Sequence, residues 1–355
     1  MGHEKSTDRS FTGFRSFSGW LFWMKSVKNT IFGKNGLTMY ERFWCVTRGF
    51  DAVQLRNYGE CGMIDYPEDF LSRKSYCRLH PVNGAYSFWI DDRLTMKYVL
   101  SKYDRYLLRY YFEIEKGQVR RLPDASVAVS DSINGILQLL REKKVLAART
   151  IHGQAEAGTL KLEYRSGAFY MNGDSAAKEV VKSRLEALDD CIVTEYPTDH
   201  PDIRVIWPEE GNVLRVLMAN CADKIVLMRA GMEFGCAGAE EKKIIAIADE
   251  NKGQLLYGLK LSASGKYVRC NEHPDTGKPF ETAIPNWQEI VVTAESICRD
   301  YPKLRYFELE IEVTEDSFRI ININSLPKLF YAEMRRPLLR DLKTREAYRS
   351  FGLKL

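Results

Sequence analysis

The stretch of residues 306–324, YFELEIEVTEDSFRIININ, constrains the fold of this chain more than any other segment. Two runs typical of β-strands flank a turn at 315–317, a pattern that predicts a β-hairpin. Because side chains alternate between the two faces of a strand, the polar residues of each strand fall on one face. These residues are Glu308, Glu310 and Glu312 in the first strand and Asn322 and Asn324 in the second.

Two interpretations of this hairpin remain open. Carboxylates at every second position are also what a solvent-exposed strand face would show. Asn322 and Asn324, however, alternate with isoleucines, which indicates a buried strand. An unpaired buried amide costs about 1–3 kcal/mol, so we expect a partner or an ion beside these asparagines.

Composition limits the class of protein. The 355 residues suffice for two or three subdomains, and 45% hydrophobic and 28% charged residues are ordinary for a soluble globular protein. The formal charge of +4 is too small, and the basic residues are too evenly spread, to indicate a nucleic-acid partner. None of the eight cysteines forms a Cys-x-x-Cys pair, which argues against zinc and favours a reducing, cytoplasmic compartment.

Residues 11–33 are rich in aromatic side chains. Their longest apolar run, from Trp20 to Met24, is far shorter than the roughly 20 residues that span a bilayer. With the basic residues between 15 and 34, this segment could contact an anionic membrane peripherally. We favour the alternative, a helix packed on the protein's own core or on a second subunit. The sequence gives no expectation for the oligomeric state.

Helical and strand-like segments follow one another in an order that predicts an α+β fold. The first 90 residues look mostly helical, whereas strands dominate from residue 145 onward. The predicted helices are 37–60, 67–80, 91–111, 131–143, 175–188 and 287–299, and the predicted strands besides the hairpin are 145–150, 160–165, 168–172, 191–197, 213–220, 224–230, 243–249 and 254–261.

Two motifs in register resemble the sugar-transfer-associated ATP-grasp family. The run HPDTGKPFETAIPNWQE at 273–289 is similar to the family's His-Pro-Asp-Thr-Gly motif and Ile-Pro-x-Trp helix start. The hairpin is similar to its acidic strand, Thr-Glu-Asp turn and closing Glu-x-Asn. Upstream, the runs DDRLTMKYVL, VLAARTIHGQAEAG, CIVTEY and NVLRVLMAN resemble further family elements, so the resemblance covers roughly residues 90–330.

The resemblance implies an ATP-grasp fold, in which two α+β subdomains clasp a nucleotide, with a helical N-terminal region before them. It also implies a division of the chain. The expected parts are a mostly helical region at 1–90, the N-terminal part of the ATP-grasp module at 91–147, a lid subdomain at 148–196, a C-terminal subdomain with the metal site at 197–330 and a C-terminal tail at 331–355.

The resemblance further implies where ATP binds. By register, Arg93 and Arg149 take the positions of two phosphate-binding lysines, whose charge arginine retains. The loop HGQAEAG would cover the phosphates with backbone N–H groups, and the end of the strand 191–197 would hold the adenosine. Surface arginines and a plain β-turn are the alternatives. The implied nucleotide-binding residues are Arg93, Arg149, Gly153, Gly158, Glu195 and Tyr196.

Register with the family also implies a Mg²⁺ site made by Glu310, Asn322 and Asn324, with the hard oxygen ligands that Mg²⁺ prefers. Asn322 stands where the family has glutamate, which puts full catalytic competence in doubt. The family's Asp-Asn and Gly-Gly stretch after the arginine-bearing strand is also missing.

Three residues are candidates for catalysis. Arg215 lies in the middle of a predicted strand, and the resemblance assigns it to the phosphate or to the activated carboxylate. Arg229, on the next strand, is a second candidate. His273 could contact phosphate or act as a general base, but it could equally cap a structural turn.

The implied function is an ATP-dependent ligase that joins a small-molecule or sugar carboxylate to an amine through an acyl phosphate. A setting in polysaccharide or glycoconjugate biosynthesis is the expectation. Two alternatives remain open, a non-catalytic nucleotide-binding relative and a kinase that phosphorylates a small-molecule hydroxyl.

Overall fold

A computed structural model describes residues 16–80, 82–125, 129–152, 159–209, 211–221, 223–237, 243–262 and 266–355. The chain forms two compact units, each built from segments that are distant in sequence. The first unit comprises the chain up to Ser87, residues 199–313 and residues 323–355, and the second comprises residues 88–198 and 314–322.

Helices dominate the beginning and the end of the chain. Side-chain caps fix many of their N-termini; for example, the Thr38 hydroxyl accepts from the backbone N–H of Glu41 in a reciprocal capping box. The helices are α1 (Phe17–Phe32), α2 (Met39–Arg48), α3 (Ala52–Tyr58), α4 (Arg73–Leu79), α5 (Tyr86–Ile90), α6 (Arg93–Val99), α7 (Ile133–Lys143), α8 (Lys178–Glu186), α9 (Pro201–Ile206), α10 (Trp287–Asp300), α11 (Phe330–Arg335) and α12 (Leu342–Ser350).

The second unit contains an antiparallel sheet. Its apolar face packs with α7 and α8 around a core that includes Phe112, Leu146 and Leu162. The strands are β1 (Tyr110–Glu115), β2 (Gln118–Arg121), β3 (Val145–Thr150), β4 (Leu160–Arg165), β5 (Ala168–Met171), β6 (Asp174–Ala176) and β7 (Cys191–Glu195), in the order β2-β1-β7-β3-β4-β5-β6.

The other sheet belongs to the first unit except for residues 318–322 of its last strand. Its central strands are almost wholly buried, and β13 is buried at every residue. The strands are β8 (Val213–Asn220), β9 (Ile225–Gly235), β10 (Lys243–Ala248), β11 (Leu255–Leu261), β12 (Tyr267–Cys270), β13 (Tyr306–Val313) and β14 (Phe318–Asn324), in the order β12-β11-β10-β9-β8-β13-β14. The chain returns from the second unit to the first between Asn322 and Ile323, within β14.

The hairpin predicted at 160–172 is confirmed, with Ser166 and Gly167 both at positive φ in its turn. The helix predicted over 91–111 is wrong, because α6 ends at Val99 and Tyr110–Glu115 form β1. Phe112 in β1 is fully buried, and β1 pairs with both β2 and β7. The gain from this pairing and burial outweighs the helical spacing of the segment.

Two further boundaries differ from the prediction. The helix predicted over 37–60 is broken into α2 and α3, because Gly49 adopts a left-handed conformation at φ 81° and ends α2. The helix expected to begin at Pro67 begins at Arg73 instead, after the cap residue Ser72. Pro67 starts only a short 3-10 turn.

The residues expected as a C-terminal tail form α11 and α12. Tyr331, Tyr348 and Phe351 are fully buried there, in a core that they share with strands of the first unit. The hydroxyl oxygens of Tyr306 and Tyr348 lie 2.9 Å apart within this core. Residues 331–355 are therefore part of the sheet's packing.

Candidate active site

Arg215 is the centre of a buried charge network in the first unit. Strand β8 runs antiparallel to β9 and β13, so Arg215 lies opposite Gly231 on one side and Glu310 on the other. The Arg215 side chain is about 5% exposed. Its Nη1 donates to Glu308 Oε1 at 2.7 Å and to Glu310 Oε1 at 2.8 Å, and its Nε donates to Glu233 Oε2 at 2.9 Å.

Lys243 extends the network at Glu233, whose carboxylate binds both Arg215 Nε and Lys243 Nζ. Burial acts against the charged forms, but Arg215 and Lys243 outweigh it and lower the pKa of Glu233. At Glu308 burial prevails over Arg215, and the pKa of this carboxyl is raised. Glu308 therefore takes up a proton more readily than an ordinary carboxyl.

Two of the predicted metal ligands, Glu310 and Asn324, contact each other, and Glu310 also contacts Arg215. Asn324 Nδ2 donates to Glu310 Oε1 at 2.9 Å and lies 3.4 Å from Glu308 Oε1. The structure thus brings Arg215, Glu310 and Asn324 together, although the sequence reading placed them in two separate roles. Asn322 is buried and belongs to the second compact unit, so its place beside Glu310 stays a prediction.

The alternative of a solvent-exposed strand face is wrong for β13. Glu308, Glu310 and Glu312 are only 0%, 3% and 4% exposed. Charged residues are rarely buried unless they are paired or bind ions, so three on one strand indicate a functional face.

The donor set is compatible with Mg²⁺ in its chemistry. Glu310 and Asn324 supply carboxylate and amide oxygens, which are ligands that Mg²⁺ prefers. Among the described residues, however, no three His, Cys, Asp or Glu side chains are grouped so that they could hold a metal by themselves. A metal here would therefore depend on phosphate oxygens as well.

Arg229 serves the packing of the C-terminal segment. Its guanidinium donates to the backbone oxygens of Ala332 and Arg336 at 3.3 and 3.1 Å and contacts Asp341 Oδ2 at 3.2 Å. The side chain is 1% exposed. These contacts attach the segment 332–341 to β9, and a catalytic role for Arg229 stays a prediction.

His273 is likewise engaged by its own surroundings. The ring is fully buried and stacks on Trp207, with 4.9 Å between the ring centroids. Nε2 donates to the Gly235 oxygen at 2.8 Å, and Nδ1 lies 3.4 Å from the backbone N–H of Asp275. This arrangement matches the structural interpretation, in which His273 stabilises a turn.

In the second unit, the charges of Arg93 and Arg149 both affect the pKa of the buried Tyr110. Burial raises the pKa of Tyr110, and the positive charges of both arginines oppose the rise. The Tyr110 hydroxyl donates to the Arg93 oxygen at 3.3 Å, and Arg93 Nη1 donates to the Thr150 oxygen at 2.7 Å. The two predicted phosphate-binding residues are therefore neighbours.

His152 follows Arg149 by three residues, and its Nδ1 lies 2.7 Å from Asp190 Oδ1. This hydrogen bond raises the pKa of His152. Gly153 and Gly158 of the predicted phosphate loop lie outside the described residues.

Glu195 ends strand β7 in the same unit, and Tyr196 follows it directly. Glu195 Oε1 accepts from the backbone N–H of Arg109 at 3.0 Å and from Arg319 Nε at 3.3 Å. Lys161 Nζ lies 4.9 Å from the centroid of the Tyr196 ring. These contacts fix the strand end, and the roles of both residues toward adenosine stay predictions.

Three members of the network were not singled out in the sequence. Glu233 lies beyond Ala230, where the predicted strand ended, and continuing the alternation through Gly231 would have found it. Lys243 gave no local signal. Tyr331 lies in the expected tail, and its hydroxyl donates to Glu308 Oε2 at 2.7 Å. A Cβ atom on Gly231 would lie 3.2 Å from the Tyr331 ring, so the absence of a side chain at Gly231 leaves room for this ring.

Solved structures with a similar fold are remote in sequence. The D-alanyl-alanine synthetase A of Vibrio cholerae shares 12% identity at a TM-score of 0.46, over 77% of this chain and 68% of its own. The ATP-grasp ligase PsnB, complexed with a minimal precursor, shares 11% identity at a TM-score of 0.42, over 85% of this chain and 76% of its own. The ADP complex of purK, an N5-carboxyaminoimidazole ribonucleotide synthetase, shares 9% identity at a TM-score of 0.39, over 68% of this chain and 46% of its own. We draw no functional conclusion from likenesses this distant.

Among curated proteins, none matches this chain. The family model described as sugar-transfer associated ATP-grasp, in contrast, matches residues 125–345, well over half of the chain. This range includes β3, the arginine of β8 and the whole hairpin with its buried glutamates. The chain therefore belongs to the sugar-transfer associated ATP-grasp family and has the ATP-grasp fold.

Proposed function

We propose that this protein is an ATP-dependent ligase that forms an amide bond between a carboxylate and an amine. The observation that carries the proposal is the buried contact of Arg215 with Glu310, which also binds Asn324, in a chain of the ATP-grasp family. A buried, charged network of this kind is difficult to explain as packing alone, because desolvating the charges is costly.

The proposed reaction has two steps. The terminal phosphoryl group of ATP passes to a carboxylate oxygen of the substrate, which yields an acyl phosphate and ADP. The amine nitrogen then attacks the acyl carbon, inorganic phosphate leaves with the former carboxylate oxygen, and the nitrogen loses a proton. Such transfers depend on positioning and on cations near the phosphates.

The chain's residues have distinct roles in this proposal. Glu310 and Asn324, with Asn322 as the third predicted ligand, would hold Mg²⁺, which would neutralise phosphate charge when bound. Arg215 positions Glu310 by donating from Nη1 to its Oε1. In the other unit, Arg93 and Arg149 would bind phosphate oxygens, because arginine offers several fixed donors to an anion.

The remaining nucleotide contacts and the substrates are proposed from the family resemblance. Gly153 and Gly158 would approach the phosphates, and Glu195 and Tyr196 would contact the adenosine. We propose a small-molecule or sugar carboxylate and an amine as substrates, in cytoplasmic polysaccharide or glycoconjugate biosynthesis. The family description, which names sugar transfer, supports this setting.

A non-catalytic nucleotide-binding role is the second candidate. Two observations favour it: an amide at Asn322 where the family has a carboxylate, and the use of Glu310 Oε1 by both Arg215 and Asn324. A protein of this kind would bind ATP without consuming it.

Product analysis separates the candidates. Purified protein is incubated with ATP, Mg²⁺ and a panel of paired carboxylates and amines, with ADP measured and products identified by mass spectrometry. We expect ADP release that requires both substrates, and a product with the mass of an amide. A stable phosphoester would indicate a kinase, and ATP binding without turnover would favour the non-catalytic role. The variant Asn322→Glu is tested in parallel, since a large gain in turnover would also indicate a decayed site.

A further inference from the structure

The outer sides of α1 and α2 expose a set of large apolar side chains. Their exposed fractions range from 41% for Trp20 to 78% for Phe32, although residues of this kind are usually buried. We call this surface the aromatic face. It is defined by Phe17, Trp20, Met24, Phe32, Tyr40 and Phe43.

The orientation of α1 is fixed by its inner side. A Cβ atom on Gly19 would lie only 2.4 Å from the Cys77 oxygen, so the helix lies directly against α4 at this point. The Ser16 hydroxyl donates to the His80 oxygen at 2.8 Å, and Trp23 and Thr30 are buried. The sequence expectation that α1 packs on the protein's own core is thus met by this side, while the aromatic face points away from the unit.

The spacing of the exposed residues is helical. Phe17, Trp20 and Met24 follow one another at three and four residues, which places them on one stripe. A surface helix normally turns its polar side to water and its apolar side to the core. On α1 the outward stripe is apolar from Phe17 to Met24 and then reaches the exposed Lys28, and exposed apolar patches mark interaction sites.

The aromatic face continues onto α2. Arg42 donates from Nε to the Leu37 oxygen at 3.0 Å and from Nη1 to the Ile31 oxygen, which joins the start of α2 to the end of α1. Tyr40 and Phe43 stand on the exposed side of α2 and are 76% and 70% exposed.

The charges along α1 and the loop that follows it have one sign. From Ser16 to Tyr40 the charged residues are Lys25, Lys28 and Lys34, all of them exposed. The next residue, Glu41, is the first acid of this region, and its carboxylate accepts from the backbone N–H and the hydroxyl of Thr38. An apolar face bordered by lysines is complementary to a surface that combines anionic headgroups with acyl chains.

We infer that the aromatic face is a docking surface for a membrane that contains anionic lipids. The 16 residues of α1 measure about 24 Å at 1.5 Å per residue, so the helix lies along the interface and does not cross it. Within the described residues, no helix is long and apolar enough to span a bilayer. Trp20 and Tyr40, whose rings carry a polar edge, lie in the headgroup region, the phenylalanine rings reach the acyl boundary, and the lysines contact lipid phosphates.

Vesicle co-sedimentation of the full chain tests this inference. Vesicles of phosphatidylcholine alone are compared with vesicles in which part of the lipid is phosphatidylglycerol. We expect binding to the anionic vesicles that weakens as salt is raised, because salt screens the lysines. Lys25→Gln/Lys28→Gln should weaken binding by roughly fivefold per lysine.

A matched pair of variants tests the apolar contribution. Phe17→Ser/Phe43→Ser removes two exposed rings and should weaken binding to anionic vesicles by about tenfold or more, since each ring would lose its apolar environment. Phe88→Ser removes a phenylalanine that is 81% exposed in the second unit and should leave binding unchanged. Circular dichroism checks that each variant folds.

Two outcomes would overturn the inference. The first is wild-type protein that stays in the supernatant with both kinds of vesicle. The second is a wild-type dimer in sedimentation velocity that Phe17→Ser/Phe43→Ser converts to monomer, with no vesicle binding, since the aromatic face would then join two copies of the chain. Neither result depends on whether the protein has ligase activity.

Discussion

Arg215 and Glu310 face each other across β8 and β13, and the guanidinium Nη1 of the first lies 2.8 Å from the carboxylate Oε1 of the second. The two residues are separated by 95 positions in the chain and are both buried. Asn324 donates to the same oxygen, so two of the predicted metal ligands, Glu310 and Asn324, belong to one hydrogen-bonded cluster with Arg215.

Removing Arg215 should destabilise the fold strongly. Arg215→Ala leaves Glu308 and Glu310 buried without their cation, which costs about 3–5 kcal/mol when a buried pair is broken. Urea unfolding followed by circular dichroism measures the free energy of unfolding. The control Arg204→Ala changes an exposed arginine on α9 and should shift the free energy by less than about 0.5 kcal/mol. Equal effects of the two variants would contradict the buried network.

Glu333 should make stability depend on pH. Burial raises its pKa to about 8, and its carboxylate accepts from the backbone N–H groups of Leu71 and Leu338. A carboxyl whose pKa is raised on folding adds stability that is fully present below its unfolded pKa, near 4.5, and is lost as pH rises through the folded value. We therefore expect stability to fall between about pH 4.5 and pH 8.

The variant Glu333→Gln removes this titration and should flatten the fall. Glu346→Gln, at an exposed residue of α12, is the control and should keep the wild-type pH profile. Thermal unfolding measured at a series of pH values gives both profiles. If Glu333→Gln retained the full slope, another group would be responsible.

Asn324→Asp should couple stability to Mg²⁺. The change replaces an amide whose nitrogen donates to Glu310 Oε1 at 2.9 Å with a carboxylate, so like charges meet in a partly buried site. Without metal the variant should melt below the wild type, and saturating Mg²⁺ should raise its melting temperature by more than that of the wild type. The control Asn251→Asp changes an exposed turn residue and should respond to Mg²⁺ as the wild type does. An equal response of Asn324→Asp would argue against a cation at this position.

The local sequence pattern was sufficient to predict elements that depend on neighbouring residues, such as a hairpin or a helix start. The alternation in residues 306–324 gave the strand faces, and the helix start at Trp287 and the hairpin at 160–172 were predicted from spacing and turn residues. The family was also predicted, because two motifs agreed in register, and the family match confirms it.

The remainder depends on contacts between distant segments. Tyr110 begins a strand because β7, about 80 residues later, pairs with it, and no local spacing encodes that partner. The three carboxylates on Arg215 come from two strands, and Tyr331 arrives from a segment expected to be a tail. A sequence pattern shows which face a residue occupies, but it does not show which residues meet there.

Calorimetric titration of ATP in the presence and absence of Mg²⁺ tests the central claim most directly. Wild-type protein should bind ATP with Mg²⁺, and Glu310→Gln should bind about tenfold or more weakly, because a carboxylate is lost at the proposed cation site. Glu312→Gln alters a buried carboxylate on the same strand face, two residues away, and should bind like the wild type. Failure of the wild type to bind ATP, or equal affinity of Glu310→Gln and wild type, would contradict a nucleotide and metal site at Glu310.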